Sequence, residues 1–473
     1  MRVNRNYGGI KTRLAVENLE DNAVVPGEEV AAEPVEAGAD SLEADLVEVN
    51  NDIVNVQQDE EIVDDAAEVT DETEELATTL ESIATTGGLD RNGAKVLALY
   101  AKSLNKRIGE AATHGMLATE SFGGTGDKVA TTKLAAESFA DKAKELWGKI
   151  VEMFRSAVAA VVNVWNRIFD GATKLKARAE KLAKLAQDNK GEKGAESFED
   201  QKLAENLSIG GQVDVKKAAE AVAREAGDLP NMSKANVSFA ETVLKAMEQG
   251  GSAEAVVQAA ASLSNQMTSG FAKVADPASV GMGAPGEGLE LAKSPELPGN
   301  KAIIAIVAAS GATPAALGKV GYKLGMFDAS KKVAEKTQMP VLATGDIQAL
   351  ANTIKAAADH ILAYKSGQKE AEAIAKKVIA AAEKKARETA SENAKGADGK
   401  MNQMKEGAKA MLAGSDERAM AKGAMASVIN ALPPLAGYAL NAGGYVLQYG
   451  EQSLKQYGAK KAEAAPAAEP AKA

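Results

Sequence analysis

Three times the chain places a glutamate after small residues and before Ser-Phe: Ala118-Thr119-Glu120-Ser121-Phe122, Ala135-Ala136-Glu137-Ser138-Phe139 and Gly194-Ala195-Glu196-Ser197-Phe198. With only 8 phenylalanines in 473 residues, chance accounts for far fewer than one Glu-Ser-Phe. The chemistry this pattern offers is that of a substrate. A protease pocket that reads a small residue, any residue and then a carboxylate could hydrolyse the bond after Glu120, Glu137 or Glu196. Glycines 123, 124 and 126 keep the first site extended and reachable, which ranks Glu120 first. Glu137, at the entrance to a long helix, ranks second, and Glu196, with Gly194 as its small residue, third.

The chain carries no catalytic set of its own. It has no cysteine, which removes thiolate nucleophiles, disulfides and Cys-ligated zinc and fits a reducing compartment. His114 has Glu110 one helical turn before it and His360 has Asp359 beside it, too few ligands for a metal ion, so both read as structural. Gly281-Met282-Gly283-Ala284-Pro285-Gly286 fits G-x-G-x-x-G letter by letter, but no strand pattern precedes it and Pro285 spoils the helix start that phosphate binding needs. There is no P-loop, nucleophile elbow or acid–base pair. No enzyme activity, catalytic residue, cofactor or metal is expected.

Charge divides the chain at the first of the three glutamates. Residues 14 to 90 hold 24 Asp and Glu and no Lys or Arg. Four basic groups precede them, and five basic against two acidic groups follow up to residue 120, so segment 1–120 carries −17. The whole chain is −11, which leaves +6 on 121–473. A cut after Glu120 would therefore turn an acidic protein into a mildly basic one, and a basic surface attracts polyanions that an acidic one repels. Six charges cannot neutralise a genome, so any DNA contact is expected to be weak, nonspecific and salt-sensitive.

Aromatics at 4% with abundant Ala, Lys and Glu predict a mainly α protein. Residues 1–120 read as an acidic, largely disordered propeptide, with helices from about Glu74 to Ile83 and from Asp90, where Val96, Leu97, Tyr100 and Leu104 share a face. Segment 121–200 holds the strongest signal. Trp147, Val151, Phe154, Val158, Val161, Trp165, Ile168, Ala172, Leu175, Ala179 and Leu182 alternate steps of four and three, the stripe of a long amphipathic helix in a bundle or a coiled coil. Lys149, Arg155, Arg167, Lys174, Lys176, Arg178 and Lys181 surround that stripe.

Segment 201–275 reads as a helical domain (Val213 to Ala226, Lys234 to Gln249, Ala253 to Phe271) and 276–300 as a Gly/Pro linker. Segment 301–395 is expected to be a helical or α+β domain, with a small β-hairpin near 288–308 and helices from Thr313, from Thr344 and over Ala371 to Ala390. In 396–459, the uncharged run from Gly423 to Gly450 is interrupted by Asn430, Pro433-Pro434, Asn441 and Gly443-Gly444. It is expected to be a buried helical hairpin rather than a membrane span. Residues 460–473 are low-complexity Ala, Pro and Lys, expected to be disordered. No apolar run follows the basic Met1 to Tyr7 stretch, so no secretory signal is expected.

The acidic leader, the Leu80-Glu81-Ser82 and Gly87-Gly88-Leu89-Asp90 segment, the Ala118 to Gly124 junction and the Trp-bearing helix after it resemble the internal head (inner body) proteins of phiKZ-like giant bacteriophages, over about residues 75 to 200. The resemblance implies a non-enzymatic virion protein, packaged in the capsid interior as a precursor. It further implies trimming by a prohead protease that cuts after the glutamate of small-x-Glu motifs as the head matures and DNA is packaged. Ala118-Thr119-Glu120 and Ala135-Ala136-Glu137 match that rule, and Gly194-Ala195-Glu196 matches where glycine counts as small. Ala31-Ala32-Glu33, Ser41-Leu42-Glu43 and Ala66-Ala67-Glu68 match it inside the leader. The implied partners are the protease, other capsid or inner-body proteins and weakly held DNA, with the host cytoplasm as the place of assembly. Two other readings stay open: a membrane-active or ejected protein delivered with the genome, and an assembly scaffold acting through the Trp147 to Leu182 helix. Homo-oligomerisation stays open as well.

Overall fold

The computed structural model describes residues 69–107, 128–249, 253–395, 419–428 and 432–458, apart from single positions at 71, 74, 269, 310, 329 and 426. The acidic leader, Glu120, His114 and the C-terminal tail lie outside them. The first helices are α1 (75–85) and α2 (Arg91–Arg107), followed by α3, a single helix of 61 residues from Lys128 to Asp188. At 1.5 Å per residue α3 is roughly 90 Å long.

All eleven residues of the heptad stripe are buried, from Trp147 to Leu182. Their partners are three helices, α7 (Thr344–Ala363), α8 (Lys365–Lys395) and α9 (Pro433–Lys455), so the stripe is a bundle core and not the seam of a two-stranded coil. The basic residues beside it clamp those neighbours. Lys176 reaches Asp359 at 2.8 Å and Glu180 reaches Lys355 at 2.9 Å, both on α7. Arg178 binds Glu451 of α9 with two nitrogens, at 2.8 and 2.7 Å, and Arg155 binds Glu383 of α8. Trp165 stacks on Phe169 and tilts over Tyr364, where α7 passes into α8. These pairings run α7 and α8 one after the other, antiparallel to α3.

Helix α9 runs parallel to α3 and fits it by glycine notches. Gly171 faces Leu440, Gly443 faces Leu175, and Gly450 faces Leu182, where an added Cβ would stand 2.8 Å from the leucine Cδ2. The expected hairpin break at Asn441 and Gly443-Gly444 therefore does not occur. The helix runs through them because absent side chains admit the leucines, and Pro433 sits in its first turn, where a missing N–H costs no bond. Two helices expected over 213–249 are likewise one, α5 (Val215–Gln249), which passes through Pro230. Buried Leu229, Val237, Phe239 and Val243 on both sides of the proline hold it against α7, α8 and α9.

A short α4 (Gln201–Leu207) precedes α5, and α6 (Ala253–Met267) follows it. The expected hairpin exists as β6 (Leu289–Lys293) paired antiparallel with β7 (Lys301–Ala308). It is the centre of a four-stranded sheet completed by β5 (Ala272–Val274) and β8 (Gly321–Met326). Strand β8 and a 3-10 turn at Pro314–Lys319 stand where a helix was expected after Thr313. Three two-stranded pairings complete the order: β1 (Glu192–Lys193) with β10 (Tyr457–Gly458), β2 (Ser197–Glu199) with β9 (Gln338–Pro340), and β3 (Ser208–Ile209) with β4 (Gln212–Val213). One buried cluster runs from Trp147 to Tyr449 and takes residues from the sheet and from α3 to α9.

Upstream of Trp147, α3 forms a second, smaller core with α1 and α2. Its buried members are Ala77, Leu80, Leu89, Ala94, Ala101, Ala135, Ala136 and Phe139. Asp90 caps α2 as expected, accepting from the Gly93 N–H at 2.7 Å. Gly88, at φ +80°, is required because a Cβ there would lie 2.6 Å from the Lys128 carbonyl carbon. The face of α2 that turns inward is Ala94, Leu97, Ala101 and Leu104, whereas Val96 and Tyr100 point to solvent.

Candidate processing sites

Of the three Glu-Ser-Phe sequences, the first lies outside the described residues. The second begins at the tenth residue of α3, too far in for fraying of the first turn to free it. Glu137 and Ser138 face solvent, while Ala136 and Phe139 on either side are buried in the small core. The Glu137 carboxylate lies near Glu81, which is pushed above the usual carboxylate range first by burial and then by the charge of Glu137. The Glu137–Ser138 bond is helical, and proteases bind extended chain, so hydrolysis there needs local opening.

Glu196 stands between β1 and β2 with its side chain 90% exposed, 3.5 Å from the Lys193 ammonium. Its backbone is held on both sides. Gly194 N–H donates to the Gln456 carbonyl at 2.7 Å, and Val341 N–H donates to the Glu196 carbonyl at 2.9 Å. Ser197 Oγ donates to Gln338 Oε1 at 3.0 Å, and Phe198 packs edge-on against Tyr449 with ring centroids 5.2 Å apart. The Tyr449 hydroxyl in turn donates to the Pro340 carbonyl at 2.7 Å. In both described copies the glutamate and serine are outward and the phenylalanine is the anchor. The repeated Phe thus has a packing role at both described sites.

One polar cluster escaped the sequence reading. Glu225 of α5 is only 8% exposed and holds both Nε and Nη2 of Arg224 at 3.0 and 2.9 Å. Burial pushes its carboxyl up, against the opposing pull of Arg224. Tyr438 beside it donates to the Pro298 carbonyl at 2.7 Å and is raised well above the usual phenol range by burial and then by the charge of Glu225. The signal was a carboxylate placed on the Ala218, Ala219, Val222, Ala226 and Leu229 face. The cluster links α5 to α9. The Gly281 to Gly286 loop joins a 3-10 turn to β6, with no helix after it to hold a phosphate. Among the described residues no group of His, Asp and Glu could hold a metal ion, and no helix is long and apolar enough to cross a membrane.

No curated protein and no solved structure matches the chain. A sequence model of phiKZ-like phage internal head proteins matches residues 48–432, more than three-quarters of the length and a span that contains Glu120, Glu137 and Glu196. The chain belongs to the phiKZ-like phage internal head proteins, structural components of the virion interior.

Proposed function

We propose that this chain is a non-enzymatic internal head protein made as a precursor and shortened by the phage prohead protease, first after Glu120 and then after Glu137 or Glu196. The observation that carries the reading is the position of Glu120 at the charge boundary, with −17 before it and +6 after it. One hydrolysis there removes the acidic part and leaves a body that tolerates packed DNA at close range. The body's contact with DNA is diffuse, because Arg155, Lys176 and Arg178 are committed to ion pairs within the bundle. Glu137 and Glu196 keep their carboxylates outward for a protease pocket, but their backbones must first leave a helix and two strand pairings, which makes them slower sites.

The test is the N-terminal residue of the chain in purified particles, read by mass spectrometry. Ser121 is expected, or Ser138 where the second cut follows. The variant carrying Glu120→Gln and Glu137→Gln, which removes the charges and keeps the shape, should persist in particles at near-precursor length. Wild-type chain that begins at Met1 or Arg2 in mature particles would overturn the proposal.

A further inference from the structure

Helix α2 carries a surface that the fold leaves uncovered. Val96 and Leu99 are each 69% exposed and Tyr100 is 44% exposed, spaced to share one side of the helix opposite its buried alanines. With Leu134, these are four of the five large apolar side chains exposed among the described residues, and all four lie upstream of Glu137. The same helix holds Arg91, Lys95, Lys102, Lys106 and Arg107 and no Asp or Glu. Lys95 and Lys102 are exposed along the edge of the apolar patch. Apolar side chains rimmed by cations fit an extended or helical segment in which carboxylates alternate with aliphatic residues.

The chain contains such a segment. Residues 14–68 hold eighteen Asp and Glu, no Lys or Arg, and Leu42, Leu46, Val47, Val49, Ile53 and Val54 among them. The segment leads directly into the residues beside α2, where the Tyr100 hydroxyl already donates to Glu72 Oε2 at 2.9 Å. A tether this short holds the two at a high effective concentration.

We infer that the exposed Val96, Leu99 and Tyr100 face of α2, with Lys95 and Lys102 at its edge, is the docking surface for the chain's own acidic leader, residues 14–68. Both halves of this contact precede Glu120 and Glu137, so it exists only in the precursor, where it occupies a helix of five positive charges that would otherwise take up nucleic acid. The docking itself is independent of where the protease cuts; only its loss on maturation rests on the proposed cuts.

The chain has no cysteine, so Leu99→Cys supplies a single reporter thiol. In the full-length variant at low salt, maleimide should label it about tenfold more slowly than in the same chain lacking 14–68, the protection given by ~1.4 kcal/mol of docking. High salt, or Lys95→Glu with Lys102→Glu, should remove the difference. Leu185→Cys, on the other region of α3, should label at one rate with or without the leader, and circular dichroism checks that each variant keeps its helices. Equal labelling of Leu99→Cys with and without 14–68 would sink the inference. So would protection that appears only on adding duplex DNA, which would make α2 a nucleic-acid surface instead.

Discussion

The two cores that share α3 are built differently. Downstream of Trp147, Trp, Ile, Leu and Tyr side chains interlock with glycine notches, and interhelical ion pairs clamp the rim. Upstream, five of the eight buried members of the small core are alanines. Because hydrophobic stabilisation scales with apolar area removed from water, an alanine core contributes little per residue. The upstream unit also leaves Val96, Leu99 and Leu134 on the surface. The proposed cuts after Glu120 and Glu137 fall upstream of the stronger core, and α3 runs as one continuous helix through both cores.

The sharpest way to break the comparison is to disrupt each core at a buried position. Val158→Asp or Trp165→Asp buries an unpaired carboxylate among α3, α7 and α8 and should cost roughly 3–5 kcal/mol or more, seen as loss of the main thermal transition. Phe139→Ala deletes the largest side chain of the small core. It should abolish hydrogen-exchange protection over α1, α2 and residues 128–146 while residues 150–186 keep theirs. If Phe139→Ala lowers the main transition as much as Trp165→Asp does, the two cores are one.

Two glycines of the bundle sharpen the contrast at smaller effect. Gly450→Ala places a methyl 2.8 Å from Leu182 Cδ2, and overpacking of this kind costs about 1–3 kcal/mol. Gly148→Ala, on α3 where the two cores meet, encounters nothing within 4 Å and should stabilise by about 0.5–1 kcal/mol through helix propensity alone. Thermal melts of the pair that move in the same direction would refute the notch description of α9.

What the sequence disclosed followed from size. Large apolar residues at strict spacing announced α3, and all eleven are buried. The hairpin at β6 and β7 was readable because Pro295 and Gly299 punctuate two apolar runs. Elsewhere the decisive residues were small. On α2, Ala94 and Ala101 are buried in one cluster with Ala135 and Ala136 while Val96 and Tyr100 are exposed, and a hydropathy pattern ranks them the other way. Gly443, Gly444 and Pro230 look like breaks until the partner helix that fills or supports them is known. At the candidate sites the sequence supplied glutamates but not backbone state. Glu137 lies inside a helix, and Glu196 stands between pairings to the sequence-distant Val341 and Gln456.

The smallest expected effect concerns Glu225, the one carboxylate of the body that is buried among the described residues. Glu225 has a folded-state pKa raised above its ordinary value of 4.5, chiefly by burial, with Arg224 opposing and Asp228 adding to the rise. A carboxyl whose pKa is higher in the fold than in the unfolded chain binds its proton more tightly when folded. The stability it contributes is thus fully present below 4.5 and is lost as pH rises through the folded value. Glu225→Gln keeps the shape and removes the charge, so it should be neutral or slightly stabilising near pH 7, by on the order of 1 kcal/mol or less, and that advantage should shrink as pH falls toward 4.5. Arg224 is half exposed and can be solvated once its partner is gone, which keeps the substitution mild. The small core has Glu81 shifted in the same direction, but only half buried, so Glu81→Gln should show a weaker version of the same profile, confined to the upstream unit. Melting curves of wild type and Glu225→Gln that stay parallel from pH 7 to pH 5 would mean that water reaches this carboxylate, and that the bundle is looser there than its packing implies.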